Sequence, residues 1–553
     1  MAKVSQKLRN SALTAVLSHK FEEAIDLYRK ILSKDPRDGQ ALNNLAIAYD
    51  SLGRYEEFFD TAVLSLKVSP NDVGVVNVVA VAEYKLGRYE ASYKRLLDAV
   101  ERFGMAYETA MNLCSVCGEL NLHTEGLRYA IEAVQLNPTK PSAHNNLGSA
   151  FMSLGKEAEA KHCFETTLML EPDNPFAHTN IGVLENKSGH HESALAHFQK
   201  SLDLMPVVET LDTVRNRFFM GLSQLALGQL EAGWANYEFG WQMPSGNGRN
   251  PKRTFQVPRW TGESLVEKSI LVWREQGLGD EIFFFTAVRD LLSLGGNVII
   301  ECDPRIVPTL RRSYPTATVR PQQYYAVPPH KSFHDDFDFQ IPVGSLFAHF
   351  RKSAEDFKKS GPYFVVSEEN ARVFDTRLGP RGQSLRVGIC WRSGDLSATR
   401  NVHYSPLSAW ENVFAVKGVQ FVNLQYGETA KEVMGAESEC GVSLNSWSDI
   451  NRKDDLDEVA ALISQLDLVI TVGTAVAQIA AAVGVPVWLM HVSQDWPQFG
   501  QKTYPVYPNV EMLRVPPGGS VAELLETSVP ALLSELVQQR AVTPRNAGTD
   551  RIH

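Results

Sequence analysis

The chain has 553 residues, of which 44% are hydrophobic and 21% charged, with 54 Lys plus Arg against 64 Asp plus Glu and a formal net charge of −10. That is more chain than one hydrophobic core absorbs, so two or more domains are expected. The acidic balance argues against generic binding to nucleic acid or to anionic membranes.

The N-terminus carries charges but no apolar h-region, and the six cysteines are too scattered for a disulfide framework, so a cytoplasmic setting is expected. Internal periodicity then dominates the first half. Pro36, Pro70, Pro138, Pro172 and Pro206 fall on a 34-residue lattice, with Gly104 at the missing node. A proline just past a helix marks its end. Gly53, Gly87, Gly155 and Gly189 keep the same spacing and mark a turn inside each helix pair. Leu45, Leu147 and Ile181 fill one large core position, each followed by a small residue (Ala46, Gly148, Gly182) that lets two helices approach closely. Cys114 and Cys117 form a lone C-x-x-C, which reads as small residues between helices because no second pair completes a zinc site. His190 and His191 fall on a turn and are expected at the surface.

This pattern resembles the tetratricopeptide repeat over about residues 5 to 208, with an irregular last unit from Phe218 to Glu238. Such repeats stack into a solenoid whose concave face holds peptides or partner helices. Asn44, Asn112, Asn146 and Asn180 recur on the same lattice, with Val78 the exception. An amide donates and accepts at once, so a column of them can grip a peptide backbone. The O-linked N-acetylglucosamine transferases look similar here and use such a ladder. The alternative is that asparagine is simply common at this repeat position.

A stretch rich in Gly, Pro and Asn (residues 241–265) reads as a linker, in which Arg249, Lys252 and Arg253 are expected to be solvated. From Lys268 onward, β-branched runs alternate with helical stretches in two series that split near Gly379 to Gly382, which predicts parallel sheets in two Rossmann-like halves. The uncharged stretch Leu468 to Met490 breaks into strand, helix and strand and is not expected to span a membrane. Ligands in such folds bind beyond the carboxyl ends of the strands. The loops after "SILVW", "VGICW", "FVNLQ" and "LVITV" are therefore the candidates.

At these loops the segments Trp260 to Phe285, Val387 to Asp395, Phe421 to Glu428 and Leu462 to Trp488 resemble bacterial tetratricopeptide-repeat glycosyltransferases. Their catalytic module is similar to the heptosyltransferase-like glycosyltransferase family 9, of GT-B fold. The repeats give a solenoid at 1–240 before the linker, the resemblance implies an acceptor-side half at 266–380 and a nucleotide-sugar-side half at 381–538, and the composition of the tail at 539–553 reads as disordered. It implies metal-independent, inverting hexosyl or related sugar transfer, with the nucleotide sugar as substrate and no cofactor. The acceptor is expected to be a protein on the repeats, such as flagellin or another surface protein. Polysaccharide or lipid acceptors and a catalytically degenerate scaffold are the alternatives.

The resemblance makes Asp280, in "QGLGDE", the base that takes the acceptor's proton, with Gly277 and Gly279 admitting the acceptor to the backbone; capping of the next helix is the competing reading. Gly473, Thr474 and Ala475 open a helix whose free N–H groups suit a diphosphate. Arg392 is a candidate charge clamp, and Gln425 and Tyr426 are candidate nucleotide contacts. Where many family members read D-T-A-x-A-H, this chain reads Gly473-Thr474-Ala475-Val476-Ala477-Gln478, without the acid and the histidine. The D-x-D pairs Asp336/Asp338 and Asp455/Asp457 read as turn or cap acids, so no metal site is expected.

Overall fold

The 34-residue spacing becomes a succession of helix pairs in a computed structural model, which describes residues 5–205, 209–244, 248–323, 330–394, 404–492, 496–515 and 519–542. The Pro206 node, Asp395 and the tail beyond residue 542 lie outside the described residues. Among the described residues, fourteen α-helices run from Gln6–Leu17 to Leu230–Tyr237. The turns within the pairs use the left-handed backbone region at His19 (φ 56°), Gly53 (φ 68°), Gly87 (φ 71°), Asn121 (φ 57°), Gly155 (φ 72°) and Gly189 (φ 79°). His19 and Asn121 complete a lattice that glycine alone left incomplete, and both belong to the few residue types that tolerate this region. One buried small-residue position recurs at Ala12, Ala46, Ala80, Cys114, Gly148 and Gly182. A Cβ on Gly148 would lie 2.5 Å from the Phe164 ring, so the small residue sets how closely the paired helices approach. Cys114 occupies a node of this series, which accounts for its burial without any metal chemistry.

Packing separates two units, Met1–Ile181 and Gly182–His553, whereas the sequence placed the solenoid's end at 240. The first unit is all helical, and its core is built mainly from the alanines, leucines and tyrosines of the repeats. In the second unit, Phe218, Leu225, Leu230, Trp234 and Tyr237 share one hydrophobic core with the α/β elements. Trp234 also donates its indole N–H to the Arg351 carbonyl at 2.9 Å. Aromatic burial, which carries no period, ties these helices to the sheets. His191 is buried against Asn186 (2.8 Å), unlike its exposed neighbour His190 and contrary to the surface expectation, because it opens a helix and faces the core.

Two larger sheets follow, and every strand pair in them is parallel. The first has the order β4-β3-β2-β6, from β2 (Ser269–Trp273), β3 (Asn297–Cys302), β4 (Thr318–Pro321) and β6 (Phe339–Pro342). The second has the order β11-β10-β9-β7-β8, from β7 (Leu385–Cys390), β8 (Val419–Asn423), β9 (Leu468–Val472), β10 (Val487–His491) and β11 (Val510–Arg514). β2, β3, β7 and β9 are mostly apolar and buried along almost their whole length, as expected of parallel strands covered on both faces, with Glu301 in β3 and Arg386 in β7 as buried charges. A two-residue pair, β1 (Arg253–Thr254) with β5 (His330–Lys331), completes the sheets. The helical run after β2 breaks into Leu278–Phe285 and Val288–Leu292. The helix Glu368–Leu378 precedes the expected split at 380, yet it packs on the second half, where Phe374 meets Trp447 and Arg377 pairs with Asp449.

In the segment expected to be a solvated linker, the described arginines are held by carboxylates. Arg249 is fully buried, pairing with Glu275 and, at 2.7 Å, with Glu238, and the Arg253 side chain is buried against Glu301 at 2.9 Å. Carboxylates distant in sequence neutralise these charges, which is why local composition suggested a solvated segment. At the other end, the helix Ser528–Val542 extends into the segment expected to be disordered from 539.

Candidate functional site

Because the strands are parallel, their carboxyl ends lie along one edge of each sheet. The loop after β2 begins at Arg274 and holds "QGLGDE". Gln276 has φ 56°, a conformation costly for a side-chain-bearing residue. It is held there by the Asn250 carbonyl, which accepts from the Gln276 N–H at 2.5 Å, and by the Tyr237 hydroxyl, which accepts from its side chain. The adjacent Glu275 is fully buried, with Arg249 on one side and the Gly344 N–H (2.7 Å) on the other. A Cβ on Gly344 would collide with that carboxylate. The strained loop is thus clamped by residues from three separate segments.

Asp280 lies in the first turn of the helix Leu278–Phe285, half-buried, and its carboxylate accepts the Gly277 N–H at 3.2 Å. Capping is therefore one thing this side chain does. The far end of the same short helix is pinned by tyrosines: Tyr363 (2.7 Å) and Tyr507 (3.2 Å) both donate to the Ile282 carbonyl, and Tyr314 donates to that of Phe285 at 2.7 Å.

The first turn of this helix meets the first turn of the helix Ala475–Val483, which follows β9. A Cβ on Gly279 would lie 3.6 Å from Gln478 Cγ and 3.8 Å from Ala475 Cα. Gly279 thus opens onto the opposite half's helix. A Cβ on Gly277 would meet the Asp280 carboxylate at 3.3 Å. Gln478 donates to the Tyr504 hydroxyl at 3.2 Å. Gly473 is exposed, with open space where a Cβ would point. Thr474 stands at the N-cap but makes no capping bond. Its hydroxyl turns inward to Thr471 (3.3 Å) and the Cys390 thiol (3.7 Å). The helix mouth therefore lacks the side-chain acceptor that a threonine there usually supplies.

Gln425 is fully buried, and both ends of its amide are used within the protein. Its oxygen accepts the Trp391 and Arg392 N–H groups at 3.0 Å each, and its nitrogen donates to the Arg392 carbonyl at 2.8 Å. It staples the ends of β7 and β8 together. Tyr426 is half-buried, and its hydroxyl accepts the Gly394 N–H at 3.2 Å. Arg392 pairs with Glu432 through two nitrogens, at 3.1 and 2.5 Å. Burial opposes the Glu432 charge, but the bonds from Arg392 and Trp391 hold its carboxyl below the usual range. Arg392 is therefore already neutralised.

On the first sheet's edge, Glu281 is fully buried beside Arg274 at 3.0 Å and accepts the Asp303 N–H at 2.7 Å. Burial outweighs Arg274 and pushes this carboxyl up to about 8. Asp455 caps the helix Leu456–Ile463, and Asp457 accepts from Thr309 (2.6 Å) and Arg312. Asp338 accepts the Ser269 N–H at 2.8 Å, and Asp336 pairs with Arg320.

In the repeats, the asparagine amides stitch neighbouring units. Asn112 donates to Asn77 at 3.1 Å, Asn180 to Asn145 at 3.0 Å, Asn44 to Tyr28 at 3.0 Å and Asn146 to the Met111 sulfur at 3.8 Å. No sequence signal marked the partner position, which lies 35 residues earlier for three of the four.

Comparison with known proteins places this geometry in context. The chain is 30% identical over 415 residues to protein FlbA of Caulobacter vibrioides, covering 73% of this chain and 69% of that protein. The chain belongs to the FlbA family. Like the helix pairs themselves, residues 27–57 and 141–174 match tetratricopeptide-repeat families. Among solved structures, a thermophilic repeat protein of Thermus thermophilus is 22% identical over 33% of this chain and 98% of its own, with a TM-score of 0.31. The Cut9–Hcn1 assembly is 14% identical over 43% of this chain and 46% of its own, with a TM-score of 0.37. Among the described residues, no helix is long and apolar enough to cross a membrane.

Proposed function

We propose that the chain is a metal-independent, inverting glycosyltransferase that moves a hexosyl or related sugar from a nucleotide sugar to a protein acceptor held by its repeats. The observation that carries this reading is the meeting of two glycine-bearing loops that lie almost two hundred residues apart: Gly279, next to Asp280, rests on Ala475 and Gln478. In this reading the acceptor oxygen attacks the anomeric carbon, and the bond from that carbon to the diphosphate breaks. Asp280 takes the acceptor's proton. The nucleoside diphosphate leaves toward the uncapped amides at Gly473, Thr474 and Ala475, whose helix dipole favours the negative charge. The strained backbone at Gln276 fits a loop held for chemistry.

A second reading, a partner-binding scaffold with a degenerate transferase, draws on the neutralised Arg392 and the inward-turned Thr474 hydroxyl. Turnover decides between them. Purified protein is assayed for hydrolysis or transfer with UDP-, GDP-, ADP- and CMP-linked sugars. Asp280→Asn is expected to lower turnover by about 100-fold or more while leaving donor binding in place. No turnover with any donor, together with retained partner capture, sinks the transferase and supports the scaffold.

A further inference from the structure

Arginines crowd the meeting edges of the two sheets, and they are paired with carboxylates. Arg392 has Glu432, Arg274 and Arg305 have Asp303, Arg312 has Asp457, and Arg377 has Asp449. Arg452 is different. Its Nε donates to the Gln425 carbonyl at 2.9 Å and its Nη1 to the Trp447 carbonyl at 3.1 Å. Among the described residues no carboxylate pairs with it. Burial lowers its basicity, and no neighbouring charge counters this.

The position is defined by backbone as well. Asn445 runs alongside β8, accepting from the Asn423 N–H and donating to the Phe421 carbonyl, each at 2.9 Å. The segment after it leaves the sheet at the carboxyl end, where Arg452 meets Gln425. Gln425 in turn holds the β7 loop and touches Cys390, which reaches Thr474. From the first sheet, Arg305 donates to the Lys453 carbonyl at 3.0 Å. Arg452 therefore stands at the junction of both carboxyl edges, anchored through two nitrogens, with Nη2 given no acceptor by the described residues. Nη2 is open to solvent, and an anion arriving there would give this half-buried guanidinium a counter-ion.

We infer that Arg452 is a binding residue for the diphosphate of the nucleotide, an assignment that rests on the glycosyl-transfer reading. It takes the charge-clamp role the sequence offered to Arg392, whose charge Glu432 already uses. Two backbone bonds fix the guanidinium before the ligand arrives, so its donors need little reordering on binding.

The test is titration calorimetry on the full chain with inorganic pyrophosphate, with UDP, GDP and ADP, and with the parent nucleosides. Arg452→Gln is expected to weaken pyrophosphate and the preferred nucleoside diphosphate by about tenfold or more and to leave nucleoside binding unchanged. Arg452→Lys, which keeps the charge but not the two-nitrogen anchor, is expected to fall between, and it also serves if the glutamine variant does not fold. Arg377→Gln, on the Asp449 pair, is the control and should bind as the parent does. Unchanged pyrophosphate and diphosphate affinity in Arg452→Gln, or in Arg452→Lys should only that variant fold, overturns the assignment. So does an equal loss for nucleoside and nucleoside diphosphate. Arg452-dependent pyrophosphate binding without binding of any nucleotide keeps Arg452 only as a site for a free diphosphate anion and overturns both the nucleotide assignment and the glycosyl-transfer reading. Binding of neither removes both.

Discussion

The repeat helices of the first unit and the sheets of the second solve the same burial problem with different materials. In the repeats, a recurring small residue fixes helix spacing, and amide-to-amide bonds such as Asn112 to Asn77 join one unit to the next. Buried charge is sparse there, Glu83 with Arg95 and Asp38 with Arg9 being two cases. In the second unit, Arg249, Glu275, Glu281, Glu301, Arg351 and Arg386 are all buried. Several of these charges clamp irregular backbone beside the strand ends. A periodic structure can distribute its stability over equivalent contacts. A site assembled from unrelated loops needs strong, directional and specific ones.

That contrast can be broken, and the largest effect should come from Arg249. Arg249→Ala leaves Glu275 buried without its partner and is expected to cost about 3–5 kcal/mol, read by urea unfolding followed at the aromatic residues of the second unit. Lys20→Ala, which removes the exposed repeat pair with Glu23, is expected to cost no more than about 1 kcal/mol in the same measurement. Equal costs would end the distinction.

Next comes the small-residue position. Gly148→Ala drives a methyl group into the Phe164 ring and is expected to destabilise by about 1–3 kcal/mol. Pairing it with Phe164→Leu should recover part of the loss. No recovery would mean that the glycine is needed for some reason other than space.

Glu281 gives a pH signature confined to the second unit. Its carboxyl is raised to about 8 in the folded chain, from an ordinary value of 4.5. Between those values the folded state holds a proton that the unfolded state has released. Stability therefore falls as pH rises through this window, by at most about 1.4 kcal/mol per pH unit from this group. Glu281→Gln should flatten the decline by that amount, seen as a difference in unfolding free energy between pH 5 and 8. Parallel profiles for parent and variant would show that Arg274 keeps the carboxylate charged instead.

The smallest effect is expected at the ladder. Asn112→Ala removes one inter-repeat bond and should cost about 0.5–1.5 kcal/mol. If acceptor capture falls while stability stays within that range, the column grips a partner as well as stitching the repeats.

What was legible in the sequence follows the same divide. The repeats announce themselves because each node is stated several times, so Pro138 and Gly155 corroborate one another. His19 and Asn121 were missed as turn residues because their side chains do not advertise a left-handed backbone as glycine does. The strand ends, and with them the loops of Asp280 and Thr474, could be read from short apolar runs bounded by glycine. Arg249 could not, since the glutamate that buries it comes 26 residues later with no spacing rule to connect them. Arg452 escaped for a related reason: its distinguishing feature is a missing partner, and a linear sequence does not display one.

The twin tyrosine bonds to the Ile282 carbonyl carry a kinetic implication. Tyr363 lies in the crossover between the sheets, and Tyr507 lies just before the last strand of the second. Swinging the halves apart would strip one oxygen of both its donors and wet the apolar seam around it. Access to the strand-end loops should therefore come from movements of those loops themselves, with the two sheets kept together at this oxygen.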